Sequence, residues 1–173
     1  MRGLVSLSNL YLLGPLGMWG LSESHIPLTL KVLTLFGSRL DDDPMGVLGK
    51  LKCLTTLRYD ASPYDGKTLT VLEGTFPSLR VLKLWELRPL TEWTIQANAM
   101  QCLADLEVKY CEQLTEIDGL QQIKTLEVIT LVRVPNELER SVREKQPNRP
   151  IIAKSTQTKK TANEEKDEDD YSE

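Results

Sequence analysis

One pattern, LxxLxL, occurs six times at nearly constant spacing, and it constrains the fold of this chain more than any other feature. The six copies are Leu7-Leu10-Leu12, Leu30-Leu33-Leu35, Leu54-Leu57-Tyr59, Leu79-Leu82-Leu84, Leu103-Leu106-Val108 and Leu126-Ile129-Leu131. Their middle residues stand at positions 10, 33, 57, 82, 106 and 129, so the steps between copies are 23, 24, 25, 24 and 23 residues. Such a regular step indicates a repeated structural unit of about 24 residues.

The spacing also predicts how each unit folds. Alternate side chains of a strand share one face, so the last two apolar positions of each copy point inward together. One coil of the chain then returns each strand beside the previous one, about 4.8 Å away in a parallel sheet. We therefore predict an α/β leucine-rich-repeat solenoid, a curved horseshoe arc with about six short strands on its concave face and an irregular convex side with a few short helices.

Two segments between and after the strands have helix signals. Asp43 is a good N-cap and Pro44 suits a first helical position, so we predict a short helix to about Leu51 and favour capping over a metal site for Asp43. After the sixth strand, Asn136 and Glu139 resemble a capping box, which predicts a last helix over 136–145 that covers the open end of the solenoid.

These signals divide the chain into a leucine-rich-repeat domain at 1–146 and a tail at 147–173. The tail has few apolar residues and ends in acidic residues, so we predict that it is disordered and that it is deletable beyond about Ser155. The first coil starts almost at Met1 without a polar cap, and we interpret the chain as the C-terminal part of a longer protein or as a truncated gene model.

Charge and cysteine content limit the function classes. The net charge is −4, and the first 153 residues have 17 basic and 18 acidic residues, which argues against charge-driven nucleic-acid binding. Cys53, Cys102 and Cys111 are odd in number and form no CxxC pair, so we expect structural thiols and a cytoplasmic, reducing location. No apolar stretch is long enough to span a membrane.

Signals of catalysis are weak. His25 is the only histidine, and no HExxH or paired ligand pattern accompanies it. The segment 66–68, Gly-Lys-Thr, imitates the end of a phosphate-binding loop, but Ala61 stands where that loop needs its first glycine, so we interpret it as a turn. We therefore predict no catalytic, cofactor-binding or metal-binding residues, and a protein that is not an enzyme.

The remaining candidate site is the concave surface of the predicted sheet. Residues between and beside the inward positions face solvent there, and aromatic and arginine side chains are favoured at binding hot spots. The candidate partner-binding residues are Tyr11, Phe36, Arg58, Asp60, Lys83, Trp85, Glu107 and Lys109. For Trp85 an alternative remains open, namely that it only packs against the next coil.

Three stretches carry a resemblance to a known family. Residues 76–87, FPSLRVLKLWEL, followed by Leu90-Thr91-Glu92-Trp93, resemble the C-terminal repeats of plant disease-resistance proteins of the coiled-coil class of nucleotide-binding leucine-rich-repeat immune receptors. Residues 99–114 and 118–132 resemble the two following repeats, and the resemblance covers about residues 1–145. No part of this sequence resembles the nucleotide-binding switch, so we expect no ATP binding by this chain.

The resemblance implies a function. In such receptors this region recognises a pathogen effector or a guarded host protein, and it holds the receptor's own nucleotide-binding domain inactive. We therefore expect a recognition and autoinhibitory module of plant innate immunity whose partners are proteins. The alternative is a general leucine-rich-repeat scaffold for protein–protein interaction in signalling or ubiquitin ligation; an upstream phosphate-binding loop would favour the first, and an upstream F-box or kinase segment the second.

Overall fold

A computed structural model describes residues 7–16, 26–40, 43–61 and 65–154 of the chain. Its main feature is a seven-stranded parallel sheet, and each of the six LxxLxL copies supplies one strand as predicted. In spatial order the strands are β1 (Asn9–Leu13), β2 (Val32–Phe36), β3 (Thr56–Asp60), β5 (Val81–Trp85), β7 (Asp105–Lys109), β9 (Val128–Val132) and β10 (Ile151–Lys154). The predicted α/β leucine-rich-repeat fold is confirmed.

The strands pair in register, so equivalent residues of successive coils stand side by side. Leu57 pairs with Leu82, Leu82 with Leu106, and Leu106 with Ile129. All four of these side chains are fully buried, and they form one continuous column of the core. The predicted alternation between inward and outward side chains is therefore correct, because a slip of one residue would have turned this column toward solvent.

Each coil is tied to the previous one where its strand begins. The backbone N–H groups of Thr55 and Thr56 both donate to the carbonyl of Lys31, at 2.8 and 3.0 Å. The hydroxyl of Thr55 donates to the same carbonyl at 3.0 Å. Thr91 makes the equivalent side-chain bond to the carbonyl of Lys67 at 3.1 Å. Threonine at the strand entry thus adds a side-chain bond to a backbone ladder that is already satisfied.

A second parallel sheet, which the sequence analysis did not predict, runs through three of the coils. Its strands are β4 (Thr68–Val71), β6 (Glu92–Ile95) and β8 (Glu116–Asp118), paired in that order. Leu69 pairs with Trp93, and Trp93 with Ile117; all three side chains are buried. The middle coils are therefore bounded by strands on two sides, and their core is filled from both sheets.

The helices are few, as predicted. The first, α1 (Met45–Leu48), is a single turn, shorter than expected. Pro44 occupies the N-cap position, one residue later than predicted, but Asp43 still serves the start of the helix, because its Oδ1 accepts a hydrogen bond from the N–H of Met45 at 2.9 Å. Its Oδ2 also accepts one from the N–H of Thr70 at 2.6 Å, which links α1 to β4. Burial raises the pKa of the Asp43 carboxyl above 3.8, although both backbone hydrogen bonds act in the opposite direction.

The last helix, α2 (Asn136–Lys145), has the predicted bounds but a different start. Its N-cap position is Pro135, which makes no side-chain cap bond, so Asn136 is the first helical residue rather than the cap. Its first turn carries two acidic residues, Glu137 and Glu139, and its last turn carries two basic residues, Arg143 and Lys145. These charges interact favourably with the helix dipole at each end and so stabilise the helix.

The end of the solenoid is covered by α2, as predicted. Lys145 Nζ donates to the carbonyl of Ile117 at 2.9 Å and lies 2.5 Å from Glu116 Oε1. The buried amide of Gln146 donates to the carbonyls of Leu120 and Ile123, at 2.7 and 3.1 Å. These bonds satisfy backbone groups of the last coil, including its short 3-10 helix (Leu120–Gln122), that have no further coil to pair with.

The predicted domain boundary at residue 146 is wrong in one respect. Residues 151–154 form β10, which pairs with β9 in parallel, so this part of the predicted tail belongs to the sheet. Ile129 N–H also donates to the carbonyl of Pro150 at 3.1 Å, in the place where a seventh coil would enter. The segment 155–173 lies outside the described residues, so its predicted disorder stays a prediction.

Candidate partner-binding surface

All eight candidate residues lie on the outward-facing positions of the seven-stranded sheet. They occupy two rows that run across the strands, because every pair of neighbouring strands is in register. The middle row contains Tyr11, Thr34, Arg58, Lys83, Glu107, Thr130 and Ile152. The last row contains Leu13, Phe36, Asp60, Trp85, Lys109, Val132 and Lys154. We call the surface made by these two rows the concave face.

One end of the concave face is apolar and exposed. Tyr11 is 61% exposed, Leu13 75% and Phe36 44%. Leu13 and Phe36 stand directly opposite each other on β1 and β2, so their side chains form one patch. A contiguous group of large exposed apolar side chains on a sheet face is typical of a protein contact surface.

The centre of the concave face is a cluster of charged groups around Glu107. Glu107 Oε2 lies 2.7 Å from Lys83 Nζ, and its other oxygen forms an ion pair with Lys109. Lys83 reaches it from the neighbouring strand β5, whereas Lys109 is two residues further along β7. One carboxylate is therefore shared by two ammonium groups, and the cluster keeps an excess of one positive charge.

Glu107 itself was predicted to be a solvent-facing contact residue, and its burial differs from that expectation. Only 7% of the residue is exposed, and the lysine side chains on both sides of it form ion pairs with its carboxylate. Burial is the largest influence on the pKa of its carboxyl and acts to raise it, but the hydrogen bonds and charges of Lys109 and Lys83 together outweigh burial. The pKa of Glu107 is accordingly lowered from 4.5.

Trp85 is half-buried beside this cluster. Lys109 Nζ lies 4.5 Å from the centre of its ring, and Lys83 Nζ lies 6.0 Å away, so both lysines make cation–π contacts with it. Its indole Nε1 is buried and has no hydrogen-bond partner among the residues that the structure describes. Trp85 thus packs against the next coil through Lys109 and also keeps part of its ring at the surface, so both interpretations of this residue hold in part.

The transition between the apolar end and the charged cluster is formed by β3. Arg58 is exposed in the middle row, between Thr34 of β2 and Lys83 of β5. Asp60 is half-buried in the last row, opposite Phe36. The concave face therefore changes from apolar to mixed charge over two neighbouring strands.

A ladder of left-handed residues forms the rim where the concave strands end. The residue that directly follows each of the first six concave strands has a positive φ: Gly14 91°, Gly37 60°, Ala61 55°, Glu86 58°, Tyr110 56° and Arg133 51°. Its N–H continues the ladder to the next strand, as from Tyr110 to the carbonyl of Val132 at 2.9 Å. Only Gly14 and Gly37 carried a sequence signal for this conformation, because glycine adopts it without steric cost.

Three cationic side chains lie together at the rim. Lys109 is one of the candidate residues, whereas Arg133 and Lys154 were not predicted to belong to the surface. Lys109 and Lys154 flank Val132 in the last row, and Arg133 follows Val132 directly. The guanidinium carbon of Arg133 lies 5.5 Å from the centre of the Tyr110 ring. The β-branched pair at 151–152 after Pro150 was the only signal that a further strand would bring Lys154 to this place. We call Lys109, Arg133 and Lys154 the basic rim.

The thiols divide into two kinds. Cys111 is buried, with its Sγ 3.5 Å from the carbonyl of Lys109, and burial raises the pKa of its thiol to about 12. It is therefore an inert core side chain, as expected. Cys53 and Cys102 are exposed, so the expectation that all three thiols are structural is not met.

Other groups that the sequence analysis considered for chemistry are separated or undescribed. His25 lies outside the described residues. Within the described ranges, His, Cys, Asp and Glu side chains form no group of three or more that would hold a metal ion. No helix in the same ranges has the length and apolar character needed to cross a membrane.

Comparison with known proteins gives the relationship of this chain. It is 30% identical over 116 residues to the probable disease resistance RPP8-like protein 2 of Arabidopsis thaliana, a match that covers 66% of this chain and 13% of that protein. This chain is a relative of plant disease-resistance proteins. Probable disease resistance protein RDL5 of Arabidopsis thaliana is 32% identical over 96 residues, which are 56% of this chain and 9% of that protein. Disease resistance protein RPP8 of the same organism is 29% identical over 116 residues, which are 66% of this chain and 13% of that protein.

The matches and the fold agree with each other. A parallel-strand solenoid with matches to disease-resistance proteins is what the leucine-rich-repeat region of such a protein would give. The chain spans only about an eighth of the length of these relatives, 13% for RPP8-like protein 2 and RPP8. No protein-family model matches the sequence.

Proposed function

We propose that this chain is a protein-recognition module of plant defence and that its concave face is the recognition surface. The observation that carries the proposal is the composition of this face, where exposed Tyr11 and Phe36 lie near Arg58 and Trp85 on one rigid sheet. Side chains of these types dominate the energy of protein interfaces. The relatives are named as disease resistance proteins, which supports defence as the setting.

The same surface is proposed to serve autoinhibition within a longer receptor. A solenoid presents a long concave surface that one folded domain can occupy until a second partner displaces it. The apolar patch of Tyr11, Leu13 and Phe36 and the charged cluster around Glu107 lie on adjoining parts of the face, so two ligands would compete for it. We propose that the receptor's own nucleotide-binding domain is one ligand and that an effector or guarded host protein is the other.

Binding rather than catalysis is proposed as the whole activity of this chain. The charged groups at the centre of the concave face are already engaged with one another, because Glu107 pairs with both Lys83 and Lys109. This arrangement stabilises charges in fixed positions and leaves no adjacent acid and base for proton transfer at this cluster. We also propose that the chain works in the cytoplasm.

The test compares two pairs of substitutions in a full-length receptor. This chain replaces the matching segment of RPP8-like protein 2, and the chimera is expressed in leaves without a pathogen. Tyr11→Ser with Phe36→Ser removes two exposed side chains of the concave face, and Leu28→Ser with Leu72→Ser removes two exposed apolar side chains elsewhere, 64% and 42% exposed. Leaf cell death and co-precipitation of the separately expressed remainder of the receptor are measured.

We expect the concave pair of substitutions to weaken co-precipitation by about thirtyfold, since each of the two lost anchors is worth roughly 1 kcal/mol and about 1.4 kcal/mol is tenfold. Cell death without pathogen should then rise, while the control pair leaves both readouts unchanged. Equal behaviour of the two pairs would show that the concave face is not the contact surface. A chimera that never associates with the remainder would instead refute the autoinhibitory part of the proposal.

A further inference from the structure

The basic rim lies where the described chain ends, and the sequence beyond that point contains an acidic segment. The last described residue, Lys154, belongs to the rim itself, so the following residues start at this edge of the sheet. Between positions 164 and 173 the sequence has seven acidic residues and one lysine. We propose that this acidic segment, 164–173, docks on the basic rim of its own chain and covers that end of the concave face.

Charge complementarity is the first support. Glu107 is shared by Lys83 and Lys109, so one of these two charges is uncompensated. Arg133 and Lys154 are exposed, and no ion pair involving either is found among the described residues. The nearest acidic residue of the rim ladder, Glu86, lies 4.0 Å from Arg88 and is thereby partly neutralised. A strongly anionic segment therefore meets a surface with excess positive charge.

The aromatic side chains beside the rim add a second support. Trp85 lies under Lys109, and Tyr110 lies under Arg133, so each cation stands on an aromatic ring that fixes its position. Two cations held in this way lose little side-chain entropy when a carboxylate binds them. The unpartnered Nε1 of Trp85 provides one more donor beside Lys109 if the ring shifts slightly on binding.

The length of the connecting segment permits the contact. From β10 across β9 and β7 to β5 there are three strand spacings, about 14 Å. The ten residues from Lys154 to Glu164 reach at most about 35 Å when extended, so the acidic block reaches every cation of the rim. A tether this short gives an effective concentration on the order of millimolar, which allows weak ion pairs to be occupied.

This inference goes beyond the proposed function, because both the surface and its ligand belong to this chain. A partner that binds the concave face would have to displace the acidic segment, which makes the segment an internal competitor. The docking can be measured without any partner, so its failure and that of the proposed function are distinguishable.

The experiment uses the full chain labelled with nitrogen-15. Amide resonances of Lys109, Tyr110 and Arg133 and the indole resonance of Trp85 are compared between the unchanged chain and a chain with six tail acids neutralised, E164Q, E165Q, D167N, E168Q, D169N and D170N. We expect these four resonances to shift while those of the buried Leu106 and Ile129 stay in place. In about 1 M salt, where the screening length falls to about 3 Å, the two chains should give the same spectrum.

A peptide of residues 155–173 added to the tail-neutralised chain should reproduce the shifts. Its affinity should fall about fivefold to tenfold when Lys109 and Arg133 are both changed to Gln, as expected for two exposed ion pairs. The matched control, Lys52→Gln with Lys124→Gln, removes the same charge from exposed positions off the concave strands and should leave the affinity unchanged. Equal losses of peptide affinity for the two pairs of substitutions would overturn the proposal. Identical spectra of the unchanged and tail-neutralised chains at low salt would overturn it as well. Resonance shifts that vanish on tenfold dilution would also overturn it, because they would mean docking between two copies of the chain.

Discussion

Replacing Glu107 with Gln tests whether the charged cluster on the concave face is a stabilising part of the fold. The side chain of Glu107 is 9% exposed, and its carboxylate interacts with Lys83 and Lys109, whose side chains are 22% and 26% exposed. Hydrogen bonds to charged groups contribute about 1.5–3 kcal/mol net, and Glu107→Gln leaves two ammonium groups side by side with no counter-charge. We expect a loss of about 1.5–3 kcal/mol, or a Tm lower by about 3–12 °C for a chain of this size.

The pH dependence gives a sharper readout than the size of the loss. The pKa of Glu107 is lowered in the folded chain, so its carboxylate stabilises the fold above the ordinary value of 4.5. As the pH falls through the folded pKa, that stabilisation disappears. The difference in unfolding free energy between the unchanged chain and Glu107→Gln should therefore be largest near about pH 6 and shrink toward about pH 3.

Urea unfolding followed by tryptophan fluorescence at several pH values measures both quantities. Glu112→Gln is the matched control, because Glu112 is exposed in a turn and its replacement should change stability by less than about 0.5 kcal/mol. Adding Lys83→Gln to Glu107→Gln should restore part of the loss, since the repulsion between the two ammonium groups is then removed. If the difference in unfolding free energy between the unchanged chain and Glu107→Gln were the same at every pH, the stabilisation would not come from the ionised carboxylate of Glu107.

Three further predictions concern the fold itself. Gly119→Ala should destabilise the fold by about 2–5 kcal/mol in a thermal melt, because φ is 81° at this residue and an added Cβ would collide with a backbone carbonyl. Gly74→Ala is the control: φ is 65° there, but the space around it is open, so the cost should be only about 1 kcal/mol. Ala61→Gly should stabilise the fold by about 0.5–1 kcal/mol, because glycine adopts the left-handed conformation of this position without strain. Ala104→Gly, outside the left-handed ladder, should destabilise the fold by a similar amount. A loss of stability in both variants would contradict this reasoning. Leu82→Asp should abolish the folded state, because a buried unpaired carboxylate costs several kcal/mol, roughly, and soluble folded protein at normal yield would be the contrary result.

Sequence pattern was sufficient for the inner strands of the concave sheet, β2, β3, β5, β7 and β9, because each is fixed by two buried apolar positions per coil. A residue such as Leu57 or Leu106 has one role, and the 23-to-25-residue step repeats it. The three strands of the second sheet were missed because their signal is short. Trp93 and Ile95 alternate with Glu92 and Thr94, a pattern of only four residues, and it is as compatible with a loop as with a strand.

The candidate surface was predicted in position but not in detail. Alternation alone places Lys83, Glu107 and Lys109 on the outer face of the sheet, and this is correct. It does not reveal that long side chains on neighbouring strands cover Glu107, because that depends on the register across strands and on the reach of each lysine. Lys154 was missed because it lies on β10, a strand of only four residues, and Arg133 was missed because it follows β9, beyond the alternating positions of that strand.

The concave face combines a fixed backbone with side chains that the core does not determine. On β2, β3, β5, β7 and β9 each middle-row position stands between two buried neighbours and each last-row position follows one, so the backbone is held in place whichever side chain it carries. Substitution at Arg58 or Phe36 therefore alters what the surface binds at little cost in stability, unless the side chain is engaged as Glu107 is. This difference separates the face into a part that is free to vary, near β1 to β3, and a part around Trp85 whose charges are coupled. Recognition specificity should accordingly change most readily at Tyr11, Phe36 and Arg58, and a library randomised at these three positions should yield more stable folded variants than one randomised at Lys83, Glu107 and Lys109.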